Sequence, residues 1–253
     1  MSIKQSVAWW CHHKTGDLSP NEFMSAIAAV GYQGIELLPP EHFQLAKDHN
    51  LQIVTIQGHH PLEVGLNKRE HISSIEMMLS ERLAWAQAWQ IPNLIVFSGN
   101  RAGQSDETGL AVTVENLKRL MPLAEAAGVT LLLELLNSKI DHPDYMCDAT
   151  AWGLEVCRQV SSPRLKLLYD IYHMQVMEGD IIRTIDQNYE YIGHYHTAGV
   201  PGRADIDETQ ELNYPAIMRA IAQTGFTGYI GQEFIPRGET IAALAQAYAI
   251  CDV

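Results

Sequence analysis

Four apolar runs in the second half of this 253-residue chain each close on an ionisable side chain. They are Thr130-Leu-Leu-Leu-Glu134, Lys166-Leu-Leu-Tyr-Asp170, Gly193-His-Tyr-His196 and Tyr229-Ile-Gly-Gln-Glu233. Three carboxylates gathered at one point repel one another, and at least one would be driven to hold its proton. A divalent cation removes that conflict. Three oxygen donors and one imidazole suit Mn2+ or Mg2+, and Co2+ and Zn2+ also accept such a set. One ion of this kind would act as a Lewis acid on a substrate carbonyl. Taken singly, each acid reads equally as the neighbour of a helix N-cap or as a surface ion-pair partner. It is the set of four that points to a metal site.

Other residues stand where they would reach the same place. His173 follows Asp170 by three residues and reads either as a neutral imidazole donating to a substrate oxygen or as a packing histidine at a helix start. Arg203 reads as a fork for a substrate carboxylate or hydroxyl, or as an exposed loop arginine. His59 and His60 follow an apolar run and would line a pocket or sit in solvent. Glu36 reads as a carboxylate behind the metal ligands or as the buried partner of a nearby donor. Lys166 shares a strand face with Asp170, and a structural role at the other end of the strand is the simpler reading. Trp9 and Trp10 would form an apolar wall or simply pack.

The elements that must carry these residues alternate. Short β-rich runs at 6–9, 34–38, 52–57, 93–98, 130–134, 165–170, 191–197 and 228–234 are separated by helical patterns at 20–30, 41–50, 68–89, 107–127, 148–160, 178–187 and 215–223, and a helix at 239–250 closes the chain. Ser19 and Pro20 open the first long helix and Gly31 ends it. Several runs are apolar throughout, as strands buried on both faces are. Eight strand–helix units predict a single α/β domain over 1–253, a (β/α)8 TIM barrel. The rival doubly wound sheet calls for a glycine-rich turn after its first strand, where this chain has Trp9-Trp10-Cys11-His12-His13. The spacings of 36 (134 to 170), 26 (170 to 196) and 37 (196 to 233) each fit one strand–loop–helix–loop unit. The four ends therefore fall on one rim, the C-terminal rim where barrel enzymes keep their sites. The polar stretch 198–214 has no periodicity and reads as a loop of that rim.

Composition narrows the partners. With 30 acidic against 17 basic residues the formal charge is −13, which opposes nucleic acid and anionic membranes. The four cysteines form no C-x-x-C pair, the first residues lack the layout of a signal peptide, and no apolar run is long enough to span a membrane. A cytoplasmic protein acting on a small molecule is the expectation, with a homo-oligomer open. No G-x-S-x-G elbow, P-loop or H-E-x-x-H appears.

The chain resembles the hydroxypyruvate isomerase family within the xylose isomerase-like barrels, which also include ketose 3-epimerases and AP endonucleases. The resemblance is carried by Gly34-Ile-Glu-Leu-Leu-Pro, Glu134-Leu-Leu-Asn137, Tyr169-Asp-Ile-Tyr-His-Met-Gln-Val-Met-Glu-Gly179, Glu211-Leu-Asn-Tyr-Pro and Gly228-Tyr-Ile-Gly-Gln-Glu-Phe-Ile-Pro-Arg-Gly238. It implies that Glu134 and Glu233 bind metal and act as acid and base, that Asp170 completes the metal shell, and that His173 and Arg203 contact substrate, while the residue at position 196 varies among such enzymes. It also implies isomerisation of hydroxypyruvate to tartronate semialdehyde through an enediolate. Histidine at position 196 is similar to the epimerases, whereas hydroxypyruvate isomerases typically carry glutamine there, and the stretch Ser138-Lys-Ile-Asp-His-Pro143 departs from them too. The alternatives are a ketose 3-epimerase or related sugar isomerase, then a polyol dehydratase, an AP endonuclease-type repair enzyme or a non-catalytic ligand-binding barrel.

Overall fold

The computed structural model describes residues 3–13 and 18–253, so the first two residues of the N-terminal segment read above lie outside it. Eight parallel strands form a closed barrel in sequence order. They are β1 (Lys4–Ala8), β2 (Gly34–Glu36), β3 (Gln52–Gln57), β4 (Asn93–Val96), β5 (Thr130–Glu134), β6 (Leu165–Asp170), β7 (Ile192–Thr197) and β8 (Tyr229–Gln232). The fold is thus the (β/α)8 TIM barrel that the alternation predicts. Pairing of Lys4 with Tyr229 and of Ser6 with both Gly34 and Gly231 joins the first strand to the second and to the last.

Five strands differ from the sequence reading at one end or both, including β4, which closes at Val96, and β7, which opens at Ile192. β1 begins two residues earlier and gives way at Trp9 to a helical turn, α1 (Trp9–His12). β2 stops at Glu36 because Leu37 adopts φ 54°, outside any strand. β8 stops at Gln232, so Glu233 stands just beyond its strand, whereas Glu134 and Asp170 are the last residues of theirs.

The helices are α2 (Pro20–Val30), α3 (Phe43–Asp48), α4 (Ile72–Trp89), α5 (Asp106–Ala127), α6 (Thr150–Val160), α7 (Ile171–Met177), α8 (Ile181–Asn188), α9 (Tyr214–Gln223) and α10 (Thr240–Cys251). Ser19 caps α2 through a capping box with Glu22, and Gly31 ends it at φ 121°. Ser105 caps α5 and Asn213 caps α9 by accepting main-chain N–H groups. The sequence reading missed α7 and placed a helix over 178–187, where α8 begins only at Ile181.

The chain divides into two compact units. One comprises Met1–Val54, Asp180–Tyr189 and His194–Val253. Its core gathers Val7, Ile35 and Ile230 from strands with Phe23, Met24, Ile27 and Leu244 from helices, all buried. The other comprises Thr55–Gly179 and Glu190–Gly193. There Leu131, Leu132 and Leu133 are consecutive and all fully buried, the mark of a strand covered on both faces. No helix among the described residues is long and apolar enough to cross a membrane.

Candidate active site

In the first unit the focus is a buried chain of acids and imidazoles. Glu36, at the end of β2, is fully buried. Its carboxylate accepts from His194 Nε2 at 2.9 and 3.0 Å, from His196 Nε2 at 3.0 Å and from the Ser6 hydroxyl. Burial alone would push this acid up, but His194 and then His196 hold it far below the usual carboxylate range. Glu36 is therefore the buried partner of nearby donors, and one of those donors is His196. Its ligand-type atom and those of His194 and His196 all lie within 4.8 Å of one another.

His196 uses its two nitrogens differently. With Nε2–H spent on Glu36, the ring turns Nδ1 toward Glu233 Oε2, 2.9 Å away. Two ring protons, or one proton and a cation, reconcile that approach. Room for the arrangement comes from Gly231. A Cβ there would stand 2.5 Å from Glu36 Oε1 and 2.7 Å from His196 Cδ2, closer than real side chains come.

Glu233 has three side-chain partners of its own: Trp10, Arg203 and His196. Trp10 Nε1–H donates to Oε1 at 2.7 Å, and Arg203 Nη2 donates to Oε2 at 2.6 Å. Arg203 Nε also donates to the Glu233 carbonyl at 3.2 Å, and its guanidinium lies 5.3 Å from the Trp10 ring. Burial raises the Glu233 carboxyl, yet His196 and Arg203 outweigh it and keep the group ionised well below its ordinary range. Trp9 packs as expected, stacked on His13 and edge-on to Phe23. Trp10 departs from the wall reading: it is 47% exposed and serves as a hydrogen-bond donor to an acid.

In the second unit, Glu134 and Asp170 are buried at the ends of β5 and β6. Asp170 also begins α7, where Oδ1 accepts the His173 main-chain N–H at 3.0 Å. His173 is fully buried, and its Nδ1 accepts from the Asn137 main-chain N–H at 3.1 Å. That bond leaves the ring proton on Nε2, which lies 3.7 Å from Asp170 Oδ2. Asn137 in turn donates to Asp141 Oδ2 at 2.6 Å, and the Tyr172 hydroxyl donates to the same oxygen at 2.7 Å. Tyr145 ties two strand ends together: its hydroxyl accepts from Ser98 N at 3.1 Å and donates to the Glu134 carbonyl at 3.0 Å.

His59 is fully buried beyond the end of β3. Nε2 accepts the Phe97 main-chain N–H at 3.0 Å, so Nδ1 carries the proton, and it makes no hydrogen bond among the described residues. Burial lowers this imidazole to about 4. His60 beside it is exposed. Lys166 turns away from Asp170, its Nζ donating to the Glu190 carbonyl at 2.5 Å, which is the structural role.

Within the first unit the structure thus brings His196, Glu233 and Arg203 together. Within the second it joins Asp170 to His173. Sequence reasoning did not find Glu36 with His194, the Trp10 indole or the Asn137–Asp141 pair. The Asn137-x-x-x-Asp141 spacing within a loop was the one available signal.

A 2-oxo-tetronate isomerase of Cupriavidus necator is 38% identical over 134 residues, 53% of this chain and 51% of that protein. The hydroxypyruvate isomerase of Escherichia coli is 35% identical over 143 residues, 56% of this chain and 55% of that protein. The chain spans about half the length of these curated relatives. An AP endonuclease, family 2, from Brucella melitensis has the same fold, with a TM-score of 0.85 at 24% identity over 99% of this chain and 100% of that one. The family model described as xylose isomerase-like TIM barrel matches residues 24–250. The chain belongs to the xylose isomerase-like TIM barrel family.

Proposed function

We propose that this protein is a metal-dependent isomerase of a small hydroxy-keto acid, with hydroxypyruvate and 2-oxo-tetronate as the leading substrates. Glu134, Asp170, His196 and Glu233 would hold one divalent cation, Mn2+ or Mg2+ before Co2+ or Zn2+. The observation that carries this reading is the orientation of His196. A carboxylate behind one ring nitrogen, with the other nitrogen turned toward a second acid, is how a protein aims an imidazole at a metal when a cation takes the place of the second ring proton. All four side chains are buried, and three of them are acids, which stay ionised out of water only against positive charge.

The cation, when bound, supplies a Lewis acid that stabilises negative charge developing on a substrate oxygen. The chain's residues do the rest. One of Glu134 and Glu233 takes the proton from the carbon next to the carbonyl, and a carboxylate returns it at the adjacent carbon, by way of an enediolate. His173, with its proton fixed on Nε2, donates to a substrate oxygen. Arg203 keeps Glu233 ionised, and its guanidinium would meet a substrate carboxylate or hydroxyl. The Nδ1–H of His59, buried and without a hydrogen bond among the described residues, fits a donor awaiting a ligand oxygen. The formal charge of −13 supports a small-molecule partner over nucleic acid. We further place the protein in the cytoplasm, where its four buried free thiols stay reduced, and read the chain as one domain, with a single cooperative unfolding transition as the check.

The decisive assay offers the purified chain hydroxypyruvate and 2-oxo-tetronate, with chelator and after return of Mn2+ or Mg2+. Turnover that chelator removes and metal restores is expected. A ketose 3-epimerase is the second reading, favoured by histidine at position 196. Turnover of a ketose with neither acid accepted would select it, and a chain that binds no divalent ion would sink both.

A further inference from the structure

The loop that carries Arg203 is held down by a second arginine. Within the first unit, Arg237 Nε donates to Asp205 Oδ2 at 2.8 Å and its main-chain N–H to the same oxygen at 3.1 Å. Nη2 donates to Asp207 Oδ2 at 2.6 Å and to the Thr209 hydroxyl at 3.0 Å. The Ile235 N–H donates to the Arg203 carbonyl at 2.7 Å, and Gly199 and Ala204 exchange main-chain hydrogen bonds at 2.7 and 3.2 Å. Arg203 itself stands at φ 54°, a left-handed conformation that a non-glycine residue keeps only when its surroundings impose it. The two arginines thus fasten the loop after β7 to the segment after β8 at both ends of a short stretch. Asp205 is 8% exposed, and a carboxylate that buried is held only by a partner that pairs with it.

We propose that Arg237 is a positioning residue. By gripping Asp205, Asp207 and Thr209 it fixes the loop so that the Arg203 guanidinium stays seated on Glu233 and beside Trp10. A lone half-exposed ion pair would do little. Here one guanidinium and its own main-chain N–H make four bonds to three residues of one loop, and a planar fork holds direction as well as charge. Arg237→Lys keeps the charge and loses the fork, so it restores only part of the effect.

This inference rests on the proposed isomerase reading for its kinetic half only. The experiment is amide hydrogen exchange together with steady-state kinetics on the full chain carrying Arg237→Gln or Arg237→Lys. Arg69→Gln, which removes the exposed pair with Glu115, is the surface control. The expected result is exchange about tenfold faster at Gly199, Ala204 and Ile235 in Arg237→Gln, with β5 amides unchanged, an intermediate effect in Arg237→Lys and none in the control. Unchanged exchange at those three amides, or equal acceleration everywhere, overturns the proposal, because a merely stabilising residue would lower the melting temperature without singling out this loop. On any substrate turned over, kcat falls roughly ten- to a hundredfold. Arg203→Lys then costs less in the Arg237→Gln background than alone. Full additivity overturns the link between the two arginines. An unsubstituted protein that turns over nothing sinks the isomerase reading, and the exchange result still decides the clamp.

Discussion

The two units solve the problem of burying acids in different ways. In the first, every buried or half-buried acid described here leans on a positive or ionisable partner: Glu36 on His194 and His196, Glu233 on His196 and Arg203, Asp205 and Asp207 on Arg237. In the second, Asp148 pairs with Arg101, but neutral donors also hold acids: Asp170 accepts a main-chain N–H at the head of α7, and Asp141 accepts from the Asn137 amide and the Tyr172 hydroxyl. Paired charge sets ionisation state, whereas neutral donors set direction at little electrostatic cost. The pairs of the first unit keep Glu36 and Glu233 charged, whereas the neutral donors of the second keep Asp170, Asp141 and the His173 imidazole aimed.

The largest effect should come from removing the proposed proton-transfer pair. Glu233→Gln and Glu134→Gln should each lower kcat about a thousandfold, within the range general acid–base groups supply. If Glu233→Gln is tolerated while Glu134→Gln is not, the charged half-site serves only to bind. Steady-state kinetics at saturating metal make the distinction.

His59 tests the aimed half through pH. Its imidazole is held at about 4 in the fold against an ordinary 6.5, so the folded protein resists a proton that the unfolded chain accepts. Stability from this group is fully present above about pH 6.5 and is lost as pH falls toward about 4. The total is on the order of 3 kcal/mol, since each pKa unit is worth about 1.4. Urea titrations of the chelated protein between these limits should show the loss, and His59→Gln should flatten that part of the curve. An unchanged curve would mean that other groups carry it.

Much of this was legible beforehand. The apolar runs that end at Glu134, Asp170, His196 and Glu233 announce strands, and the Ser19-Pro20 and Gly31 signals fix α2 almost to the residue. α7 was missed because its start signal is Asp170 itself, already read as a strand end, and because Ile171–Met177 continues the apolar run without a glycine or proline to mark the change. Glu36 was seen but its partners were not. They lie 158 and 160 residues away on β7, and only closure of the sheet lets the Glu36 side chain of β2 reach them. The Trp10 indole was hidden by habit of type, since tryptophan near a strand end usually packs and this one donates to an acid.

A smaller effect should follow from Glu36→Gln. A neutral amide loses the charge with which Glu36 holds His194 and His196, so divalent-ion affinity should fall ten- to a hundredfold, roughly, as when other residues behind metal ligands are changed. Calorimetric titration with Mn2+ measures this directly. Equal affinity would show that Glu36 only stabilises the first unit. The smallest effect should be Asp141→Asn, which weakens the bonds from Asn137 and Tyr172. A loss of about 1 kcal/mol in stability and a few-fold rise in KM at near-constant kcat are expected, read by thermal melts and kinetics.

One more property follows from the way Asp170 caps α7. Because Oδ1 accepts the His173 N–H, part of this carboxylate's accepting capacity is spent at the helix head, and Glu233 Oε2 is likewise shared with Arg203. Calcium seeks about six to eight oxygens and welcomes two from one carboxylate, whereas magnesium and manganese are content with fewer, shorter contacts. A helix cap and a guanidinium thereby ration oxygen, and the chain should discriminate ions by size as well as by charge, leaving calcium a poor competitor at millimolar excess.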